Sequence, residues 1–352
     1  MDTNKPSFFR SFASDNNSGI CDEALQAIIE CNHDHVVAYG DDPVTERVRL
    51  KFKHAFGPEA EAFFVFNGTA ANVLSIKALC KPYEAVLCTN IAHLHTSECG
   101  APESLAGAKL ILIEPQNGKL KVEQLENELI GKGNPHHVQP KLISITQSTE
   151  VGTAYTPSEI KSISEFAKKH NLFLHVDGAR LANAAAYLGC SLKEITTDVG
   201  VDVVSFGGTK NGLMGAEAVV FLRKDMGSDF KFHRKQMMQL SSKMRFVSAQ
   251  FDAYLSNELW RRNAEQSNRL AKALAEKIQE IPSVEISYPV ESNGIFAKMP
   301  KTVIKKLQEQ VFFYVWNEGK SNKSEVRLMT AFDTSREDID TLVNQVRIAA
   351  EM

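Results

Sequence analysis

LFLHVDGARLANAAAYLGC at 172–190 and VDVVSFGGTKNGL at 201–213 decide the fold. Each opens with an apolar run of strand type, 172–176 and 203–206. The first run ends in Asp177 and the second in Gly207-Gly208-Thr209-Lys210. A buried strand thus delivers one charged side chain where it stops, and it does so twice. In open α/β sheets, ligands sit outside the carboxyl ends of the strands. Asp177 and Lys210 are 33 residues apart, enough for one helix and one strand between them.

One carboxylate and one lysine placed this way suit pyridoxal phosphate. The lysine amine forms a Schiff base with the cofactor aldehyde. The carboxylate keeps the pyridine nitrogen protonated, so the ring can accept electrons.

The surrounding pattern alternates. Apolar runs at 62–66, 85–88, 110–113, 142–146, 172–176, 203–206 and 218–222 have helical stretches between most of them. Such alternation predicts a mostly parallel sheet covered by helices on both faces. The link 211–215 is too short for a parallel crossover, so the last strand is expected to run antiparallel. The fold class is therefore α/β, with a seven-stranded, mostly parallel sheet. Helices are predicted at 22–31, around Val48, Phe52, Ala55 and Phe56, from about Ala70, and after Thr156. There Thr156-Pro157-Ser158-Glu159 has the form of a capping box. A long helical region is expected over 248–280. Short strands at 284–287, 294–298, 312–315 and 326–330 then alternate with two helices, the last opening on a capping box at Thr334-Ser335-Arg336-Glu337. This predicts a large α/β domain over 10–245 and a small α+β domain over 246–352. Segment 1–20 is expected to pack near the site.

Composition excludes several classes. The chain has 352 residues, 43% hydrophobic and 24% charged, with a formal net charge of −3, so it offers no basic field for nucleic acid. No apolar run approaches the roughly 18 residues that span a bilayer, and residues 1–17 lack the apolar core of a signal peptide. None of the six cysteines forms a CxxC pair, which is simplest as free thiols in the cytoplasm. His33/His35, His93/His95 and His136/His137 fall in no metal-binding frame, so no metal is expected. There is no GxGxxG for a nicotinamide cofactor.

Seven segments in order, Ser14-Asp15-Asn16, Tyr39-Gly40-Asp41-Asp42-Pro43, Asn67-Gly68-Thr69-Ala70-Ala71-Asn72, Ala92-His93 with Glu98, His175-Val176-Asp177-Gly178-Ala179-Arg180-Leu181, the Lys210 segment and Val326-Arg327-Leu328, run over nearly the whole chain. In these the sequence resembles the threonine aldolase family, within the β-eliminating lyase group of fold-type I pyridoxal-phosphate enzymes. The resemblance implies aldol cleavage of β-hydroxy-α-amino acids such as L-threonine or L-allo-threonine to glycine and an aldehyde. β-Elimination and cleavage of an aryl substrate such as phenylserine are the neighbouring alternatives; a non-catalytic protein on this fold that binds cofactor or a partner is the alternative of another class, against which the presence of both Lys210 and Asp177 argues. It also implies a homotetramer built from dimers, with a small amino acid as substrate.

Individual residues acquire expected roles. Asn67-Gly68-Thr69 lies between a strand and a helix, where backbone N–H groups bind phosphate, so Gly68 and Thr69 are expected to hold the cofactor phosphate. The resemblance adds Arg245 from a neighbouring subunit. The family usually has a glycine-rich run before that arginine, whereas this chain has Gln239-Leu240-Ser241-Ser242. By resemblance His93 stacks on the pyridoxal ring, and Tyr39 crosses into a neighbour's site. Arginine grips a carboxylate with a two-pronged fork. Arg180 and Arg327, assisted by Ser14, are the expected clamp, with Arg180 also close to the cofactor. The family often has a histidine, associated with the substrate β-hydroxyl, where this chain has Glu150. A carboxylate can accept that proton directly or through water; a turn role for Glu150 is the other reading.

Overall fold

The computed structural model describes residues 10–351. The first nine residues of the expected N-terminal segment lie outside the described residues. Seven strands form the central sheet: β1 (Glu61–Val65), β2 (Glu84–Thr89), β3 (Lys109–Ile113), β4 (Gln139–Thr146), β5 (Phe173–Gly178), β6 (Val203–Gly207) and β7 (Glu217–Phe221). Their order is β1-β7-β6-β5-β4-β2-β3. The pairs β2–β3, β2–β4, β4–β5 and β5–β6 are parallel, and β7 is antiparallel to both β1 and β6. The short 211–215 link thus has the consequence expected of it.

A second sheet of four antiparallel strands follows, in the order β10-β11-β9-β8: β8 (Glu285–Ile286), β9 (Gly294–Pro300), β10 (Tyr314–Asn317) and β11 (Lys323–Met329). The helices are α1 (Asp22–Glu30), α2 (Pro43–Phe56), α3 (Gly68–Leu79), the single turn α4 (His93–Thr96), α5 (Val122–Asn127), α6 (Pro157–Lys169), α7 (Leu181–Leu188), α8 (Phe230–Gln236), α9 (Arg245–Tyr254), α10 (Leu259–Gln279), α11 (Lys301–Gln308) and α12 (Arg336–Glu351).

Local chemistry accounts for the boundaries. Thr156 caps α6: its hydroxyl accepts the Glu159 N–H while the Glu159 carboxylate accepts the Thr156 N–H. The expected single helical region 248–280 is instead two helices. Asn257 and Glu258 adopt left-handed φ of 49° and 55°, which no α-helix continues through. The cap of α12 lies one residue later than expected. Ser335 and Asp338 exchange the reciprocal bonds, and Thr334 Oγ1 accepts the Ala331 N–H.

Among the described residues the two larger of four buried apolar clusters lie in different parts of the chain. The larger packs α1, α2, α6, α7 and α9 on the central sheet. Within it Phe52 stacks on Phe56 and meets Phe64, Phe206 and Phe251 at centroid distances of 5.2–5.9 Å. The smaller gathers the second half of α10 with α11, α12 and the four-stranded sheet, and takes in Phe12 from the N-terminal segment. That segment is pinned at both ends. Phe12 N–H donates to Phe312 O and Phe12 O accepts from Met329 N–H, while Cys21 N–H reaches Gly212 O between β6 and β7.

Phe52 is fully buried at the centre of the aromatic cluster. Phe52→Ala is expected to cost about 3–5 kcal/mol through lost contact and a residual cavity. A urea unfolding midpoint that stays at the wild-type value would contradict this packing.

Candidate active site

The carboxyl ends of β4, β5 and β6 meet at one edge of the central sheet, with Asp177 of β5 paired in register with Ser205 of β6. Two residues beyond Ser205 the chain turns through Gly207-Gly208-Thr209 into Lys210. The glycines there are steric necessities. A Cβ on Gly207 would lie 2.8 Å from Ala179 O, and one on Gly208 would lie 2.3 Å from Leu213 Cδ1 and 2.9 Å from Ala216 O. Asn211 anchors the turn from the other side, donating to Tyr254 Oη and Trp260 O. Burial pushes the Lys210 amine down from its ordinary value, and the nearby Arg180 charge adds to this against the pull of Asp15 and Asp177.

Asp177 is buried and held by neutral donors. Asn72 Nδ2 reaches its Oδ2 at 2.8 Å, and Ala179 N–H reaches its Oδ1 at 3.1 Å. Asn72 lies on the first turns of α3, and its Nδ2 also donates to Glu98 Oε1 at 2.9 Å. Glu98 in turn bonds His93 Nδ1 at 2.8 Å. The Glu98 hydrogen bond raises the proton affinity of His93, and burial raises that of Glu98 itself. Beneath Asp177, His175 is enclosed between the hydroxyls of Ser144 and Ser205, both at 2.9 Å, and burial pushes it down to about 4. It is thus a neutral prop.

His93, Glu98 and Asp177 offer ligand atoms within 4.8 Å of one another. Asn72 Nδ2 donates to both carboxylates from among them, so a cation there would face amide hydrogens.

Glu150 closes another side. Its Oε1 accepts the Thr146 hydroxyl at 2.6 Å and the backbone N–H of His93 at 3.0 Å. Burial pushes it up to about 6 despite those bonds. At the helix mouth, Asn67 Oδ1 accepts the Ala70 N–H, and a Cβ on Gly68 would meet nothing within 4 Å, so the start of α3 is open to an incoming group.

The two arginines differ. The Arg180 fork is taken by Asp15: Nε to Oδ2 at 2.7 Å and Nη2 to Oδ1 at 2.8 Å, with Asn293 Nδ2 also on Oδ2. The expected Arg180 clamp is therefore turned inward, onto a carboxylate of the protein itself. Asp15 is fully buried, but Arg180 outweighs that burial and holds its carboxyl below the usual range. Arg327 on β11 gives Nη2 to Ala13 O at 2.9 Å and lies against the rings of Tyr314 and Trp316. Its Nε is buried without an acceptor among the described residues. Burial and the nearby Arg180 charge push Arg327 down to about 10. Ser14 adjoins this cluster as the cap of a short turn, its Oγ accepting the Asn16 N–H.

Lys210, Asp177, His93, Glu150, Arg180 and Arg327 are thus linked by hydrogen bonds or mutual charge into one cluster, with Ser14 next to Asp15 and Gly68 and Thr69 on the first turn of the helix that carries Asn72. Tyr39 and Arg245 do not join it in this chain. Arg245 Nη1 donates to His33 O and Asp34 O, and Tyr39 N–H donates to Ser242 O, its ring half-exposed beside Lys235. Sequence reading missed the roles of Asn72 and Asp15. The signal for Asn72 was a polar side chain within the apolar, buried run of α3; Asp15 offered none beyond its place beside Ser14.

Asp15→Asn would leave the Arg180 guanidinium without its carboxylate and set an amide against it. The loss expected is about 3 kcal/mol of folding stability, read by chemical denaturation. A change below about 1 kcal/mol would show that the pair does not hold the N-terminal segment.

The sequence model of the family described as Beta-eliminating lyase matches residues 11–302. A low specificity L-threonine aldolase of Pseudomonas aeruginosa is 43% identical over 96% of this chain and 97% of its own length. One from a Pseudomonas species is 41% identical over 96% and 97%. The solved structure of Leishmania major threonine aldolase superposes with a TM-score of 0.92 at 28% identity, covering 97% of this chain and 99% of that one. The chain belongs to the β-eliminating lyase family, on the branch of the low-specificity L-threonine aldolases.

Proposed function

We propose that this enzyme holds pyridoxal 5'-phosphate and cleaves L-threonine, L-allo-threonine and related β-hydroxy-α-amino acids to glycine and an aldehyde. The observation that carries the reading is the convergence of Lys210 and Asp177 at neighbouring strand ends, with Arg327 near the Arg180–Asp15 pair and its Nε buried without an acceptor among the described residues. The donor set fits the cofactor. Lys210 would hold it covalently, Asp177 would pair with its ring nitrogen, Gly68 and Thr69 would receive the phosphate, and His93 would cover the ring. Bound there, the cofactor supplies an electron-accepting ring joined to the substrate Cα.

The protein's own groups supply the rest. Arg327, with Ser14 next to it, orients the substrate carboxylate through the free Nε, while Arg180 braces that region through Asp15. A clamp of this kind fixes which bond to Cα is aligned for cleavage. Asn72 orients Asp177, and Glu98 orients the His93 ring. Glu150 accepts the β-hydroxyl proton, directly or through a water shared with His93. Its proton affinity near neutrality suits that task.

We further propose a homotetramer of paired dimers, in which Tyr39 and Arg245 serve a neighbour's site. Exposed Val36, Val37, Tyr39, Leu50, Phe232 and Met238 support a buried interface on that side. The free cysteines support a reducing, cytoplasmic setting. No described helix is long and apolar enough to cross a membrane. We divide the chain into units 10–245 and 246–352, with α9 and the first turns of α10 as a joint that lends side chains to the larger core.

Purified protein mixed with pyridoxal phosphate and L-threonine is expected to yield equal amounts of acetaldehyde and glycine. Ammonia with a keto acid would replace the aldolase reading by elimination. Lys210→Ala is expected to lose both the visible absorbance of the bound cofactor and turnover; normal turnover in that variant would sink the assignment.

Glu150 supplies a pH test. Because burial raises its carboxyl, it is a base only above about pH 6. kcat/KM should therefore fall as pH drops through about 6, and Glu150→Gln should abolish that limb along with most activity. A variant profile that keeps the wild-type acid limb would remove Glu150 from this role.

A further inference from the structure

Glu217 opens β7 opposite Gly207 of β6, and the antiparallel pairing sets its carboxyl against the turn that carries Lys210. The side chain is buried, at 6% exposure. Its Oε1 accepts the Thr209 N–H at 3.3 Å. Room for it comes from Gly207, where a Cβ would lie 3.0 Å from Glu217 Oε2. The sequence GGTK thus builds a pocket for a carboxyl as well as a turn for a lysine.

Three carboxyls act on Lys210: Asp15, Asp177 and Glu217. Asp15 is committed to the Arg180 fork and Asn293. Asp177 is held by Asn72 and the Ala179 N–H, and in the function proposed above it serves the ring nitrogen. Glu217 has only neutral donors on Thr209, and the cation that acts on it is Lys210. A buried carboxyl with a hydrogen-bond donor but no dedicated cation is costly unless its charge is used.

We propose that Glu217 is the counter-charge of Lys210, a positioning residue that keeps the proton on the Lys210 nitrogen once that nitrogen carries the cofactor. The proposal rests on the cofactor reading above. Its consequence is that, where Glu217 is ionised, the protonated form, the better electrophile, persists to higher pH than it would without that charge. Burial pushes Glu217 up to about 7, and Lys210 and the Thr209 bonds oppose that rise. Asp177 is the other charged group that acts on Glu217, and Tyr254 is the buried hydroxyl that feels its charge. Burial and, after it, the Arg180 charge act against the proton on Lys210, and the three carboxyls oppose them.

The test is a spectrophotometric pH titration of the visible band of the lysine-bound cofactor in the purified holoenzyme. Glu217→Gln keeps the size of the side chain and an acceptor for Thr209 N–H but removes the charge. The titration midpoint is expected to fall by about one pH unit or more in this variant. Glu217→Asp, which keeps the charge, should stay closer to wild type than Gln does. A merely structural role predicts an unmoved midpoint in Gln and a change only in Glu217→Ala; that result would overturn the proposal. If the wild-type protein acquires no Lys210-dependent band at all, the cofactor reading falls and this inference with it. A normal band with an unmoved Gln midpoint overturns the Glu217 role alone.

Discussion

Charge taken out of water must find a partner, and this constraint organises the carboxyl edge of the central sheet. Lys210, Asp177, Arg180, Asp15, Glu98, Glu150 and Glu217 all converge there, most of them buried. Each has a distinct solution. Asp15 takes both prongs of Arg180. Asn72 divides its amide between Glu98 and Asp177. Glu150 accepts a hydroxyl and a backbone amide. What this scheme leaves open is as informative: Arg327 Nε, Glu98 Oε2 and Asn72 Oδ1 are buried without partners among the described residues.

The N-terminal segment ties the two sheets together around that edge. Phe12 pairs with β11 and with the chain just ahead of β10, Ala13 O meets Arg327, Asp15 meets Arg180, and Cys21 meets the turn after Lys210. A few residues thus link the arginine expected to grip substrate to the lysine expected to carry the cofactor. Asn293, just ahead of β9, adds a bond to Asp15.

Much of the fold could be read before any coordinates, because strand period and turn chemistry are local. The seven runs, their mostly parallel pairing and the antiparallel last strand all follow from alternation and one short link. Where the reading slipped, a local conformation was hidden by good helix formers. Ser256-Asn257-Glu258 breaks 248–280 through two left-handed residues, and the α12 cap moves one residue because Thr334 Oγ1 is taken by the Ala331 N–H while Ser335 and Asp338 exchange the capping bonds.

The site was legible in its chemistry and not in its partnerships. By itself the sequence determined the α/β architecture and set Asp177 and Lys210 at adjacent strand ends, since both depend on residues within one or two elements of each other. Only the tertiary structure decided that Arg180 faces Asp15, 165 residues away, rather than solvent. It likewise decided that Asn72 bridges two carboxylates from α3 and that Glu217 lies under the Lys210 turn. Such contacts join segments that the chain keeps apart. Their geometry is set by how helices and sheets pack and by the cost of burying each charge, and no local pattern records either.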